Sequence, residues 1–402
     1  MRVSTSMVYG MGAGRIGQQQ SDLLRTQQQL STGRKMLVPS DDPVAAARSL
    51  REAQSKATAD QYLVNQDSAR AALSLGESTL GDAGDAIADA RTLLVSAGNG
   101  SLTDADRRSI AIGLQSSHDR LLALANTRDA NGEFLFSGYR GGTQAFVPAA
   151  GGAQYAGDQG TREMAVADGR MLPVSENGSE VFERVPGGNG VFSIAPGGAN
   201  AGTGVHDGGA VANPSLLNGH SYSIQFTVVG ATTTYDVVDT TTSANVVTGA
   251  AYAAGQAITF GGLQMVVNGA PANGDVFAVA PSASVSVFKT LQDAIALLQA
   301  PAPTAVARAA LNNGIASAIP TLDQAAGRVL DARARMGVHL QELDSLSALV
   351  SGTSLQHAQE LSRLTDLDYA EAVTRFASQQ AALQAAQQSF LSVSNLSLFN
   401  LL

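Results

Sequence analysis

One short run of glycines has the spacing of a phosphate-binding loop. The segment Gly12–Gly17 matches G-x-G-x-x-G and follows Val3–Tyr9, a stretch that favours a strand. Asp41 and Asp42 stand near the place where an acid that binds a ribose would be expected. A dinucleotide site also needs a parallel sheet under its helix, and the first 130 residues contain no further β-α-β pattern. We therefore favour a flexible glycine segment that leads into a helix, and a nucleotide-binding enzyme is the least favoured class.

The remaining residues that could carry chemistry do not combine into a known arrangement. No histidine belongs to an H-E-x-x-H motif or has a second metal ligand four residues away; the five are His118, His206, His220, His339 and His357. His339 is expected on a helix seam or surface. The absence of cysteine excludes disulfides, thiolate catalysis and cysteine-ligated zinc. We predict no enzymatic activity, no catalytic residues, no bound metal and no cofactor.

The composition argues against a nucleic-acid partner and against a membrane-spanning segment. Charged residues make up 15% of the 402 residues, against roughly 25% in an ordinary soluble domain, while apolar residues make up 44%. A formal net charge of −9 argues against a nucleic-acid partner, because phosphate binding needs concentrated Lys and Arg. The stretches 240–274 and 376–402 carry no charge, but polar residues interrupt both, so we predict no membrane span. The first residues lack an apolar segment behind a basic start, which predicts no cleaved secretory signal.

The first 130 residues have the pattern of long helices. Asp42 and Pro43 suit the N-cap and first turn of a helix, and Thr103 with Asp106 suits the start of the next. Asn99-Gly100 is expected to end the helix between them. Apolar residues recur every seven positions in three sets: Ile16, Leu23 and Leu30; Leu50, Ala57, Val64 and Ala71; and Leu73, Leu80, Ile87 and Leu94. This spacing is typical of helices that pack along a coiled-coil seam.

Residues 286–402 repeat the helical pattern. Pro320 is expected to mark a kink or a helix start, and Gly352-Thr353-Ser354 is expected to interrupt the helix. Heptad spacing links Leu322, Val329, Met336, Leu343 and Val350, and then Leu355, Tyr369, Phe376, Leu383 and Phe390. Several such helices at opposite ends of one chain favour a long antiparallel bundle that brings both ends together.

The middle of the chain changes character. Residues 141–285 hold 25 of the 42 glycines, and short β-branched runs alternate there with turn residues. Strands are predicted at Tyr222–Val229, Thr234–Val238, Ala257–Phe260 and Val276–Val279. The fold class is therefore α+β: a long antiparallel helical bundle or coiled coil from both chain ends, with an inserted all-β domain that forms a sandwich or an irregular barrel.

The two chain ends are the most informative segments. Residues 376–402 carry no charge, and residues 1–21 carry only Arg2 and Arg15. Because chain ends are usually polar, we expect these to be buried against copies of the same or related chains, and to be partly disordered before assembly for want of a partner. The predicted subunit interface comprises Ile16, Leu23, Leu30, Phe376, Leu383, Phe390, Val393, Leu396, Leu398, Phe399, Leu401 and Leu402.

Certain segments resemble a known family. Leu30–Lys35 followed by Pro39–Ala46 is similar to the N-terminal signature of the bacterial flagellin family, with Ser40, Asp41, Asp42 and Pro43 at its centre. Ala125–Thr127 with Gly132–Gly138, and Arg335–Gly337, resemble further parts of that family. The start Met1–Thr5 and the ending Leu396–Phe399 are more similar to its hook–filament junction branch than to flagellin proper.

The resemblance implies a function that the residue patterns alone do not reach. It implies a structural subunit of the bacterial flagellum that joins the hook, through hook-associated protein 1, to the flagellin filament, in a ring of copies of itself. It also implies type III export with a flagellar export chaperone on the C-terminal helix, and hence a secreted, extracellular location. The alternative within the family is a flagellin-type filament subunit.

We expect five segments. These are an N-terminal assembly segment at 1–42, the two halves of the bundle at 43–140 and 286–352, an outer β-rich domain at 141–285, and a C-terminal assembly helix at 353–402. A surface adhesin, with ligand binding by the β-rich segment alone, is a further alternative. The sequence itself suggests no ligand for this segment.

Overall fold

The structure, a computed structural model, describes the backbone of residues 5–398 and the side chains of residues 7 and 9–392. Six α-helices lie within this part of the chain: α1 (Thr5–Thr32), α2 (Pro43–Ala97), α3 (Asp104–Ala125), α4 (Val287–Gln299), α5 (Ala305–Thr365) and α6 (Tyr369–Leu398). Among the described residues, no helix combines the length and the apolar character needed to cross a membrane.

The strands lie between α3 and α4. They are β1 (Phe146–Ala149), β2 (Gly152–Tyr155), β3 (Glu163–Ala167), β4 (Arg170–Pro173), β5 (Val185–Pro186), β6 (Phe192–Pro196), β7 (Val205–His206), β8 (Ala210–Val211), β9 (Tyr222–Val229), β10 (Thr232–Asp239), β11 (Ala244–Ala251), β12 (Ala257–Phe260), β13 (Leu263–Asn268), β14 (Val276–Pro281) and β15 (Ser284–Val285). All four predicted strands are confirmed, the second within the longer β10. The predicted α+β class, with helices from both ends and a central sheet-rich domain, is also confirmed.

The chain divides into two compact units, which we call the terminal unit (residues 1–64 and 345–402) and the central unit (residues 65–344). In the terminal unit α1 packs antiparallel to α6, because Tyr9 meets Phe390 while Thr26 meets Gln379. In the central unit α2 packs antiparallel to α5, because Gly76 faces Met336 and Gly84 faces Val329.

Two of the heptad sets form the core that their spacing predicts. All eight side chains of these sets within the central unit are buried: Leu73, Leu80, Ile87 and Leu94 on α2, and Leu322, Val329, Met336 and Leu343 on α5. The set Leu50, Ala57, Val64 and Ala71 is exposed, so the prediction of a seam there is wrong for this chain. The buried positions of α2 nearby are Ala59, Gln66, Ala69 and Leu73, which lie on a different face of the helix.

Two of the helix boundaries are confirmed by their caps. The Asp42 carboxylate accepts hydrogen bonds from the amides of Val44 and Ala45, and Pro43 begins α2. Thr103 and Asp106 form a reciprocal capping box at the start of α3. In both cases a side-chain oxygen satisfies amides that the first helical turn leaves unpaired, which is the physical basis of the sequence signal.

One other boundary prediction is wrong, and a second is narrowed. Pro320 lies inside α5, which excludes a helix start there and leaves the kink as a prediction, and Gly352–Ser354 does not interrupt that helix, which continues to Thr365. A single helical glycine costs only about 1 kcal/mol, less than packing along a long helix can supply. The break falls instead at Asp366–Asp368, where Asp368 accepts the amides of Ala370 and Glu371 at the start of α6.

The largest β structure is a two-sheet sandwich in the central unit. One sheet has the strand order β11-β10-β9-β14-β6, and the other has β12-β13-β7 with β8 also paired to β13. Their facing side chains share one core, which includes Phe226, Phe277 and Met265. A short stem leads into the sandwich, since β5 pairs with β15 and the Gly187 amide donates to the Ala283 carbonyl at 2.9 Å.

Candidate subunit-interaction site

The glycine motif lies inside α1 and not at a strand-to-helix turn. Residues 5–9 are already helical, so the strand predicted at Val3–Tyr9 is wrong where the structure describes it, and the glycine segment is not a flexible leader. A Cβ placed on Gly12 would lie 3.0 Å from the Phe390 ring of α6. Gly12 therefore serves close helix packing, and the parallel sheet that a nucleotide site needs does not follow it.

The Ser317 and His206 side chains form the pair that most resembles catalytic machinery. Ser317 Oγ lies 3.2 Å from His206 Nε2, in a cavity of about 150 Å³. The Gly208 amide donates to His206 Nδ1 at 3.1 Å, so the neutral ring carries its proton on Nε2. A general base would need that nitrogen unprotonated in order to accept the serine proton. Burial lowers the pKa of His206 to about 4, which fits a neutral structural residue.

The described residues also contain no candidate metal centre. Among the residues from 7 to 392 with described side chains, no group of three His, Asp or Glu side chains is arranged to hold a metal ion. His339 is half-buried on α5, as expected for a seam position.

The signature Ser40–Pro43 lies in the connection between α1 and α2 and orders its backbone through hydrogen bonds. Asp41 accepts the amides of Leu37 and Val38 and pairs with Arg25 at 2.6 Å. The Leu37 amide is the largest cause that holds the pKa of Asp41 below its ordinary value, with Val38 and Arg25 adding to it against partial desolvation. Ser40 is exposed. The carboxylates at 41 and 42 thus organise backbone rather than perform acid–base chemistry.

The seam between α1 and α6 contains the described members of the predicted interface. Ile16, Leu23, Leu30, Phe376 and Phe390 are half-buried, and Leu383 is buried. Each terminal helix thus has the other as a partner within the chain, and the expectation that they lack one is wrong. The side chains of Val393, Leu396 and Leu398 lie outside the described part, as do Phe399, Leu401 and Leu402 altogether. Whether any of these residues touches another subunit remains a prediction.

A second set of apolar residues on α1 and α6 was missed by the heptad reasoning. We call Met7, Met11, Leu24, Val373 and Leu391 the outer set. Each of these side chains remains at least 53% exposed after α1 and α6 have packed together. They fall outside the sevenfold register, so a search for one stripe per helix passes over them. The three on α1 do not share one face, since Leu24 lies about 140° around the helix from Met11, so no single periodic stripe would have found them.

Polar side chains also contribute to the seam. Thr26 Oγ1 donates to Gln379 Oε1 at 2.8 Å, and the buried Gln29 donates to the Lys35 carbonyl at 2.6 Å. Both contacts help to fix α1 within the terminal unit without burying a charge.

Comparison with known proteins identifies the family. The bacterial flagellin N-terminal helical region matches residues 3–140, and the bacterial flagellin C-terminal helical region matches residues 319–402. Flagellar hook-associated protein 3 of Escherichia coli (strain K12) is 28% identical over 409 residues, which cover 100% of this chain and 99% of that protein. The crystal structure of FlgL from Xanthomonas campestris aligns with a TM-score of 0.71 and 34% identity, covering 76% of this chain and 98% of that one. The chain belongs to the flagellar hook-associated protein 3 family.

A further member of the hook-associated protein 3 family supports the same assignment. The flagellar junction protein FlgL from Legionella pneumophila aligns with a TM-score of 0.67 and 32% identity, covering 71% of this chain and 95% of that one. The resemblance inferred from the Ser40–Pro43 signature is therefore confirmed. Members of the hook-associated protein 3 family are structural proteins of the flagellum, so this chain is a flagellar structural protein.

Proposed function

We propose that this protein joins the flagellar hook, through hook-associated protein 1, to the flagellin filament, as a ring of copies of itself. The terminal unit makes the contacts with copies and with both neighbours, and residues 141–285 face outward. The assembly segments are 1–42 and 353–402, and the bundle segments 43–140 and 286–352 connect them to the outer part. The role is structural and not enzymatic.

The exposure of the outer set is the observation that carries this proposal. Leu24 is 59% exposed and Leu391 is 60% exposed, although the seam residues beside them are already packed. Scattered exposed apolar residues are ordinary, but here they occur on both paired helices, and residues 376–402 carry no charge at all. Burial of such surface is favourable by about 25 cal/mol per Å², and no charge has to be desolvated along that segment.

The same reasoning extends to export. We infer that the protein leaves the cell unfolded through the flagellar type III apparatus and functions extracellularly. A cysteine-free chain can pass through such a channel without forming disulfides. A dedicated flagellar chaperone that binds the C-terminal helix would cover the apolar residues of α6 before export.

Replacement of outer-set residues tests the junction role. We expect Leu24→Asp with Leu391→Asp to leave the isolated chain folded, since both side chains are solvent-exposed, but to abolish filament attachment in a complemented deletion strain. Gln28→Asp with Gln388→Asp is the matched control, because it adds the same two charges at exposed polar positions of α1 and α6. Electron microscopy should show hooks without filaments, with flagellin in the medium. Normal filaments on the double variant would contradict the proposal.

The seam variant Phe390→Asp separates packing within the chain from packing between chains. It should also abolish filament attachment, but with loosening of α1 against α6, because Phe390 contacts Tyr9 and lies over Gly12. Limited proteolysis of the isolated chain distinguishes the two variants. The seam variant should be cleaved in residues 5–32 faster than the outer-set variant.

A further inference from the structure

Strand β11 forms an open edge of the five-stranded sheet. It is last in the order β11-β10-β9-β14-β6, and six of its eight residues are exposed. The stretch 240–274, which contains it, has no charged residue, and β11 itself has no proline. A long edge strand presents unpaired amides and carbonyls to solvent, and charges or prolines are common means of keeping other strands away from it. Neither is present here.

The backbone of β11 is instead bent by two irregularities. Between the pairs Tyr235–Ala250 and Val237–Val247, β11 advances three residues while β10 advances two. From the pair Val237–Val247 to the pair Val238–Asn245, β11 advances two residues while β10 advances one. Each irregularity adds one unmatched residue, and such bulges increase the local twist of a strand.

One bulge is held in place by a specific contact. Gly249 has φ +63°, a conformation that glycine adopts at little cost, and its amide donates to Asp236 Oδ1 at 2.7 Å. A Cβ at Gly249 would meet no atom within 4 Å, so its backbone conformation, and not space, requires glycine. The Asp236 carboxylate on β10 therefore holds the bulge of β11 at Gly249 in place.

We propose that the Asp236–Gly249 bulge prevents β11 from pairing with β11 of a second copy of this chain. The strand kept away is β11 of a second copy for two reasons. The edge carries no charge, so two copies of it do not repel each other. An antiparallel pair of these identical strands would also satisfy the unpaired amides and carbonyls of both edges at once. If the bulge is flattened, β11 can pair with β11 of a second copy, which it does not do in the native chain. This inference does not depend on the junction role, since it concerns copies in solution.

The variant Asp236→Leu/Gly249→Val tests this directly. It removes the carboxylate and favours extended backbone at position 249, so sedimentation velocity should show concentration-dependent dimers beyond any association of the native chain. Asp236→Asn is the matched control, because its amide oxygen can still accept the Gly249 amide, and it should sediment like the native chain. Adding Thr248→Lys to the double variant should return it to native behaviour, since a charge on the edge opposes pairing.

A cysteine placed on the edge identifies the contact. Because the chain has no cysteine, Thr248→Cys in the double variant should form a disulfide between copies under mild oxidation, and Thr248→Cys alone should form much less. Native sedimentation of the folded double variant, or association that Thr248→Lys does not reverse, would overturn the proposal. If the double variant does not fold, Asp236→Leu alone is decisive, and its failure to dimerise would overturn the proposal equally.

Discussion

Thr26 on α1 donates a hydrogen bond of 2.8 Å to Gln379 on α6, across 353 positions of sequence. Thr26 is buried and Gln379 is half-buried, so the bond fixes the register between the two terminal helices. The Asp22 carbonyl one turn earlier lies 3.0 Å from Thr26 Oγ1, so the single hydroxyl proton is shared between this carbonyl and Gln379 Oε1. The assembly surface proposed above depends on this pairing, because it decides which apolar residues stay outside.

The pairing predicts coupling between these two positions. Thr26→Val and Gln379→Leu should each destabilise the packing of α1 on α6 by about 1 kcal/mol, because each leaves a partly buried polar partner unsatisfied. The double variant should lose less than the sum, with a coupling of about 0.5–1 kcal/mol. Hydrogen exchange of the α1 amides measures the effect. Thr32→Val is the control, since that exposed hydroxyl bonds locally, to the carbonyls of Gln28 and Gln29 and from the Arg34 amide; a loss as large there would contradict the assignment.

The cap of α2 gives a second prediction. Asp42→Ala should destabilise the first turn of α2 by about 1 kcal/mol, because the amides of Val44 and Ala45 lose their acceptor. Asp42→Asn keeps an acceptor oxygen and should cost much less. Amide exchange at positions 44–46 reports the difference. Equal exchange in the two variants would show that the carboxylate does not cap the helix.

A third prediction concerns the loss of folding stability at acidic pH that His206 causes. His206 is neutral in the folded chain with a pKa of about 4, against 6.5 for an ordinary histidine, because burial disfavours its charged form; nearby Asp207 and a hydrogen bond with the Asn313 backbone only partly oppose this. As pH falls below 6.5 the unfolded chain takes up this proton first, so stability declines until about pH 4. The loss from this group should reach about 3 kcal/mol, at 1.36 kcal/mol per unit of pKa.

His206→Gln isolates that contribution. The variant should be less stable near neutral pH, since the contact with Ser317 is altered, but its stability should fall less steeply between pH 6.5 and 4. Urea unfolding at several pH values measures both curves, and the other four histidines are common to both proteins. Parallel curves would mean that His206 titrates alike in the folded and unfolded chain.

A fourth prediction is that the sandwich can be deleted without unfolding the helices, because a short stem connects it to the rest of the central unit. Gly187 and Ala283 are joined by a hydrogen bond, so excising residues 188–282 and closing the gap with an Asn-Gly turn should keep the stem intact. Helical circular dichroism per residue outside the sandwich should be retained, and filaments should still attach.

A deletion of residues 146–183 is the contrasting variant. It removes Phe146 and Phe182, whose rings contact Phe288 on α4 at 5.0 and 6.0 Å between centroids, so it should destabilise the helices of the central unit. Loss of helical structure in the sandwich deletion, or its retention in this second deletion, would contradict the distinction between them.

Local chemistry made much of this fold predictable from sequence. Asp42 and Thr103 cap helices because their side-chain oxygens reach amides only two or three residues away, so the signal and the contact lie in the same short segment. The heptads from Leu73 and from Leu322 specified buried faces, since the sevenfold spacing of apolar residues places them on one side of a helix. The β-branched runs located four strands, and the Ser40–Pro43 signature indicated the family.

Tertiary contacts decided what these local patterns left open. Whether a seam closes within one chain or between chains depends on residues hundreds of positions apart, as with Thr26 and Gln379, and no local pattern contains that choice. The same holds for Leu50, which looks like a seam residue in sequence but is exposed because packing selects another face of α2. The bulge at Gly249 arises from pairing with β10. The sequence by itself determined most of the elements and the buried faces of α2 and α5 in the central unit, and only the folded chain decided which faces remain free, because the burial of a face depends on the element that packs against it.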